Sequence, residues 1–285
     1  MLSVVGKVVK PLSDIGLGKL PGVSALYKFA WSRFGPKGIR TTSVDEFNLS
    51  INCADWAVAP TMMFSHTWEP EETKLVKHCV REGMIAVDIG AHIGYYTVLM
   101  SKMVGEKGLV YAFEPSLNNQ ELLRKNVLMN DCNNVEIFRQ AVGDKAGYAN
   151  MYLNATNSSG DSMFTDDNGA REQTSRVPIT TLDRVIGGSR VDFIKMDVEG
   201  AETRALLGMT GVLRNNRDLK MIIEVFPKKL EEANSGLEEL VSLLIQSRFR
   251  LHIIGKGGLG TEAGLGDIRA ATDKYGPINL FCYKL

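Results

Sequence analysis

From about residue 70 onward, short β-branched or apolar runs alternate with stretches of helical periodicity. That alternation restricts the chain to stacked βαβ units around a mostly parallel sheet, with helices on both faces. Seven runs read as strands: Met84–Ile89, Gly108–Phe113, Val135–Arg139, Phe193–Met196, Met221–Phe226, Phe249–Ile254 and Ile278–Tyr283. A helix start is predicted at Glu69-Pro70-Glu71-Glu72-Thr73, with acids in the first turn. Further helices are expected over Gly94–Met103, Leu117–Met129, Ala201–Leu213 and Leu237–Gln246. Residues 143–178 break the rhythm with Gly, Ser, Asn and Asp, and only Tyr148–Leu153 and Arg176–Ile179 read as short strands. An insertion on the rim of the sheet is expected there, a usual place for loops that carry function. The glycine-rich stretch Gly255–Gly266 reads as a flexible loop joining the last two strands.

At 285 residues the chain suits one catalytic domain with an appendage. No window approaches about 18 uninterrupted apolar residues, so no membrane span is expected. Formal net charge is zero, yet residues 1–40 carry Lys7, Lys10, Lys19, Lys28, Arg33, Lys37 and Arg40 against Asp14 alone. Since 33 − 7 leaves 26 basic residues and 33 − 1 leaves 32 acidic ones, the remaining body is mildly acidic and lacks the basic stripe that nucleic-acid binding calls for. Residues 1–45 are read as a basic, partly helical N-terminal extension and 46–285 as the catalytic domain carrying the 143–178 insertion. A helical extension packed on the body is the first reading of that segment, and an interfacial helix touching anionic lipid the second. Its apolar runs are broken by Pro11, Gly16, Gly18, Pro21 and Gly22, which fits a cleaved signal poorly and makes a cytoplasmic home the default. Cys53, Cys79, Cys132 and Cys282 show no ligand spacing and are expected as buried, reduced side chains.

The segment Val87-Asp88-Ile89-Gly90-Ala91-His92-Ile93-Gly94-Tyr95-Tyr96-Thr97 is an apolar strand ending in an acid and a glycine turn that opens a helix. It places a ligand over the carboxyl end of the first strand of the sheet. A dinucleotide site wants GxGxxG, with a middle glycine that lets backbone approach a pyrophosphate. Here His92 occupies that position and the glycines read GxxxG, which argues for a nucleoside without a pyrophosphate, most commonly S-adenosylmethionine on such a fold. Val110-Tyr111-Ala112-Phe113-Glu114-Pro115 ends the next strand in a carboxylate able to accept from ribose hydroxyls. A third element runs from Val191 to Glu202, in which Lys195, Asp197 and Glu199 alternate along an extended backbone and share one face, while Glu202 enters the first turn of a helix. Glu224 ends a later strand at the same rim.

These three segments, Val87–Thr97, Phe113–Pro115 and Ile194–Glu202, resemble the FkbM family of methyltransferases from about Trp68 to the C-terminus. The resemblance implies the class I methyltransferase Rossmann-like fold, a seven-stranded sheet whose last strand is antiparallel. It also implies S-adenosylmethionine as donor, S-adenosylhomocysteine as product, and O-methylation of a hydroxyl on a sugar, glycolipid or polyketide-like molecule. On this reading Asp88, Gly90, Ala91, Gly94, Tyr95, Thr97, Glu114, Pro115, Ala141 and Asp197 hold the cofactor. His92 departs from the family, which usually carries Asn there.

Removing the proton of an alcohol needs a base, and Asp197 is the first candidate, with Glu199 and His92 behind it and Lys195 as stabiliser of the developing alkoxide. No compact metal motif is present and no metal ligand is assigned, although Asp197, Glu199 and Glu224 are oxygen donors suited to magnesium. Tyr95 and Tyr96 divide evenly between a cofactor wall and core packing. Trp56, Trp68, Met62, Met63 and Phe64 read as core before an acceptor wall. Two further readings share parts of this pattern: a nicotinamide-dependent oxidoreductase, disfavoured by His92, and a non-catalytic membrane-associated binding module, disfavoured by the intact glycine turn, Glu114 and Asp197.

Overall fold

The computed structural model describes residues 29–153 and 173–284. Most of the basic extension and the middle of the rim insertion, residues 1–28 and 154–172, lie outside the described residues. Two compact units emerge, one of residues 29–68 and one of residues 69–153 with 173–284.

In the first unit β1 (Ile39–Val44) and β2 (Phe47–Asn52) form an antiparallel hairpin, followed by α1 (Ala59–Ser65). Phe47, Leu49 and Ile51 are buried along β2. The Trp31 indole N–H donates to the Cys53 carbonyl at 2.8 Å, and its ring stands edge-on to Phe64 at 6.1 Å. Met62 is core, as expected.

The second unit runs α2 (Pro70–Cys79), β3 (Ile85–Ile89), α3 (Tyr95–Val104), β4 (Leu109–Phe113), α4 (Leu117–Met129), β5 (Val135–Phe138), β6 (Ala141–Val142), β7 (Gly147–Leu153), β8 (Gln173–Thr180), α5 (Leu182–Ile186) and β9 (Phe193–Met196). It continues through α6 (Glu202–Leu207), α7 (Thr210–Asn215), β10 (Lys220–Val225), α8 (Pro227–Glu232), α9 (Leu237–Gln246), β11 (Phe249–Gly255), β12 (Gly258–Glu262), α10 (Leu265–Tyr275) and β13 (Ile278–Lys284). The main sheet has the order β12-β11-β13-β10-β9-β3-β4-β5. Strands β5, β4, β3, β9 and β10 are parallel, and β13 lies antiparallel between β10 and β11. This is the doubly wound, class I Rossmann-like arrangement that the alternating pattern demands, with the final strand reversed.

The central strands are buried on both faces. Val87, Ile89, Ile194, Met196, Met221, Ile223 and Val225 join the apolar cluster of α5 to α9, to which α9 brings Leu237, Leu240, Val241 and Leu244 at the i, i+3, i+4, i+7 spacing of one helix face. The alternate residues of β3 look the other way, toward α3, where Thr97 bonds Asp88.

Three features depart from the sequence reading. The sheet has eight strands, because Gly255–Gly266 is not a loop: Gly258, at φ 96°, turns the chain back so that β12 pairs with β11, and α10 follows. Pairing supplied by a neighbouring strand makes β12 despite its poor strand composition. The expected helix Ala201–Leu213 is two, α6 and α7, broken at Gly208, where a Cβ would stand 1.9 Å from the Gly143 carbonyl oxygen. Asp183 then starts α7 by accepting from the N–H groups of Gly211 and Val212, each at 2.8 Å. The rim insertion forms the two strands expected at Tyr148–Leu153 and Arg176–Ile179, as β7 and most of β8, but they belong to a separate sheet of order β6-β8-β7. All four cysteines are buried and free. Among the described residues no helix is long and apolar enough to cross a membrane.

Asn134, just before β5, ties this frame to the end of α3. Its amide donates to the carbonyls of Ser101 at 3.1 Å and Gly105 at 2.7 Å, and its carbonyl accepts from the Ser101 hydroxyl. Asn134→Ala removes two donors to carbonyls at the end of α3 and the acceptor of the Ser101 hydroxyl, and is expected to cost about 2 kcal/mol. Urea unfolding should show a lower midpoint at unchanged slope.

Candidate active site

The carboxyl ends of β3, β4, β9 and β10 form the rim, and register decides which side chains meet there. Asp88 of β3 and Ile222 of β10 flank Lys195 of β9, so that Asp88, Lys195 and, two residues beyond Ile222, Glu224 fall on the same face.

The turn after β3 is held by backbone. The N–H groups of Gly90 and Ala91 both donate to the Phe113 carbonyl, at 3.0 and 2.9 Å. Gly90 takes φ 83°, and a Cβ built there would stand 1.8 Å from the Asp197 carbonyl oxygen. Only glycine lets the turn lie directly on the loop after β9. His92 takes φ 50°, a left-handed conformation in which Asn, Asp and His are enriched among non-glycine residues, so exchange of Asn for His keeps the backbone of the turn. Gly94, at φ 92°, caps α3, and Asn126 of α4 donates to the Ile93 carbonyl at 2.7 Å.

Glu114 is 4% exposed, and its carboxylate accepts from the N–H groups of His92 and Ser116, each at 2.8 Å. Beside it, where Pro115 leads into α4, the Ser116 hydroxyl and the Gln120 amide nitrogen are buried with no hydrogen-bond partner among the described residues. A fixed carboxylate flanked by unsatisfied polar groups suits a ligand rich in hydroxyls and ring nitrogens, as a nucleoside is. The residues therefore fit S-adenosylmethionine.

Asp88 is 2% exposed and accepts from the Thr97 hydroxyl at 2.6 Å; burial raises its pKa to about 6, against that hydrogen bond and the Lys195 charge. Lys195 is 1% exposed, with Nζ 3.5 Å from Asp197 Oδ2. Burial alone lowers the pKa of its ammonium, but Asp197, Glu69, Glu224 and Asp88 outweigh that and raise it. Glu224 is pushed well above the usual carboxylate range, first by burial and then by Asp197 and Glu199. The Asp197 side chain remains 32% exposed, so it can be reached from solvent.

Strand alternation does not extend to Glu199. The strand ends at Met196, and Glu199 and Gly200 take φ 52° and 103°, so a left-handed turn rather than the pleat brings Glu199 beside Asp197. Carboxylate oxygens of Asp197, Glu199 and Glu224 lie within 4.8 Å of one another, a set that could hold a divalent cation. Glu202 closes this loop by accepting from the N–H groups of Gly200 and Val198 at 3.2 and 3.3 Å.

Asp88, Gly90, Ala91, His92, Glu114, Lys195, Asp197 and Glu199 thus share the rim. Thr97 serves Asp88, and the Tyr95 hydroxyl pairs with that of Thr73 in α2 at 2.9 Å. Ala141 lies three residues past β5, in β6. Glu69, Ser116 and Gln120 were not singled out by sequence reasoning. Glu69 read as one acid of a helix start, indistinguishable there from Glu71 and Glu72.

Burial lifts the Glu202 pKa to about 7 from an ordinary 4.5, against the N–H groups it accepts from and with the help of Asp197. Between those values the folded protein keeps a proton that the unfolded chain has lost. Stability should therefore fall as pH rises through that window, by on the order of 3 kcal/mol in total from this group. Glu202→Gln is expected to flatten the decline in urea stability between pH 5 and 8. An unchanged slope would show the carboxyl to be ionised in the folded state.

Residues 88–251, more than half of the chain, match the family model for the methyltransferase FkbM domain. A model for protein-L-isoaspartate(D-aspartate) O-methyltransferase matches residues 8–157, which include the glycine turn and Glu114 but stop short of β9. No curated protein matches the chain. Similar solved structures include a SAM-dependent methyltransferase from Aquifex aeolicus, at 18% identity over 75% of this chain and 89% of that one, with TM-score 0.42. An rRNA methylase from Streptococcus thermophilus shows 12% identity over 75% and 94%, TM-score 0.45. TYW2 of M. jannaschii in complex with AdoMet shows 16% identity over 88% and 89%, TM-score 0.43. The family match spans Asp88, the glycine turn, Glu114 and the Lys195–Glu202 loop. The chain belongs to the FkbM-domain family of S-adenosylmethionine-dependent methyltransferases.

Proposed function

We propose that the protein methylates a hydroxyl oxygen of a small acceptor, a sugar, glycolipid or polyketide-like molecule. The observation that carries this reading is a buried ammonium, Lys195, 3.5 Å from a partly exposed carboxylate, Asp197, at the strand ends. S-adenosylmethionine supplies an electrophilic methyl group on a sulfonium. An alcohol must lose its proton as its oxygen forms the new bond, and Asp197 takes that proton, with Glu199 and His92 behind it. Lys195 stabilises the oxygen as negative charge develops. Glu114 and the turn from Gly90 to Gly94, supported by Asp88, Thr97, Tyr95, Pro115 and Ala141, hold the cofactor.

The carboxyl groups of Glu69, Asp197, Glu199 and Glu224 make the surroundings of the Lys195 ammonium acid-rich, which supports a neutral, hydroxyl-rich acceptor over a phosphate backbone. The reading includes a cytoplasmic enzyme whose basic extension packs on the body, with contact to anionic membrane as the second role for that segment.

Calorimetric titration should show micromolar binding of S-adenosylmethionine and S-adenosylhomocysteine and none of NADH. Gly90→Arg and Glu114→Ala should each weaken it at least about tenfold, the scale of a lost charge-assisted hydrogen bond. Folded wild type that binds neither sulfur nucleoside would end this reading, and NADH binding would favour an oxidoreductase.

Hydroxylated sugars, glycolipids and polyketides, with RNA for comparison, are then screened for methylated product by mass. Asp197→Asn is expected to lower kcat by about 10²–10⁴. Activity lost to EDTA and restored by magnesium would give the activating charge to a cation on Asp197, Glu199 and Glu224.

A further inference from the structure

Glu69 stands immediately before Pro70 at the start of α2, with φ 40° and ψ 70°. A non-glycine residue rarely occupies this left-handed region, and the ring of a following proline pushes the preceding residue toward extended backbone. Two steric restrictions therefore oppose the conformation of Glu69. Strain of this kind persists only where the surroundings over-determine it, and it clusters at functional sites.

The helix does not account for it. Glu69 is the N-cap of α2 yet its side chain makes no capping hydrogen bond. Its carboxylate instead accepts from the Tyr96 hydroxyl at 2.7 Å. Tyr96 lies in the first turn of α3, and the Lys195 Nζ sits 5.2 Å from the centroid of its ring, within cation–π reach. The Glu69 carboxylate and the Lys195 ammonium act on one another's charge, and Asp197 acts on both. A single carboxylate at 3.5 Å is a long contact for a flexible lysine, too weak to immobilise it alone. On a second side Lys195 meets the Tyr96 ring of α3, whose hydroxyl is tied to Glu69.

We propose that Glu69 is a positioning residue for methyl transfer: with Tyr96 it fixes the Lys195 ammonium beside Asp197, so that both groups meet the acceptor oxygen in one geometry. The inference rests on the reading of Lys195 and Asp197 as the acceptor-activating pair. It extends the site to a segment upstream of the glycine turn, outside the three motifs that carry the family resemblance.

The test is a ¹³C-lysine NMR comparison of the full chain, with the Lys195 signal assigned by its disappearance in Lys195→Arg. In wild type the two ε-methylene protons of Lys195 should be inequivalent, as in an immobilised side chain. In Glu69→Gln, which keeps an acceptor for Tyr96 but removes the charge, they should converge toward the averaged shift of surface lysines. Tyr96→Phe, which keeps the ring but frees the carboxylate, should give part of the same change. Calorimetric affinity for S-adenosylmethionine and the melting temperature should stay near wild type in both variants. With the acceptor found by the screen, kcat should fall at least about tenfold in Glu69→Gln while the cofactor Kd moves less than about threefold. An unchanged Lys195 signal in folded Glu69→Gln overturns the proposal, as does parallel loss of melting temperature and cofactor affinity, which marks a structural role. Failure of wild type to bind S-adenosylmethionine would instead count against the functional reading, and leaves the NMR result to judge Glu69.

Discussion

An ammonium taken out of water costs several kcal/mol unless anions surround it, and Lys195, 1% exposed in the middle of the central sheet, imposes that demand on its neighbours. Asp88 answers from β3, Glu224 from β10, Asp197 from the end of Lys195's own strand and Glu69 from the start of α2. Those carboxylates are themselves wholly or partly buried, and Asp197 raises the pKa of Asp88, Glu69, Glu202 and Glu224 alike. Neither sign is comfortable without the other. The lysine is what lets so many acids stand at one rim, and the acids are what keep a buried lysine charged.

The second constraint is steric. With no room for a Cβ between Gly90 and the Asp197 carbonyl, the glycine turn after β3 and the acidic loop after β9 are one packed unit. The Asp197 N–H completes it by donating to the Ile89 carbonyl at 2.9 Å. On the proposed reading, a cofactor seated on the first loop meets an acid loop already in place, the preorganisation that methyl transfer needs. Left-handed residues cluster in the same two loops and just before α2: Gly90, His92, Gly94, Glu199, Gly200 and Glu69.

Much of this frame is legible in the residue pattern. Leu117–Met129 and Leu237–Gln246 begin and end as their periodicity indicates, and the parallel strands follow the apolar runs. The misreadings share a cause. Strand β12, in Gly258–Glu262, has little intrinsic strand preference and exists because β11 and its hairpin turn offer it a partner. The break at Gly208 comes from contact with residue 143, sixty-five positions earlier (208 − 143), which no local window contains.

The winding of the parallel strands, the glycine turn after β3 and the carboxylate of Glu114 at the end of β4 are legible in the residue pattern, because each is written in periodicity or at a strand end. Which of the rim groups touch depends on packing. Glu199 reaches Asp197 through a left-handed turn, and Thr97 is spent on Asp88. Glu69 and Lys195, more than a hundred residues apart in the chain, meet the same Tyr96 side chain because α3 presents its hydroxyl to one and its ring to the other. Charge pairing at a rim is a matter of distance in space, and distance in space between far-separated residues is set by packing.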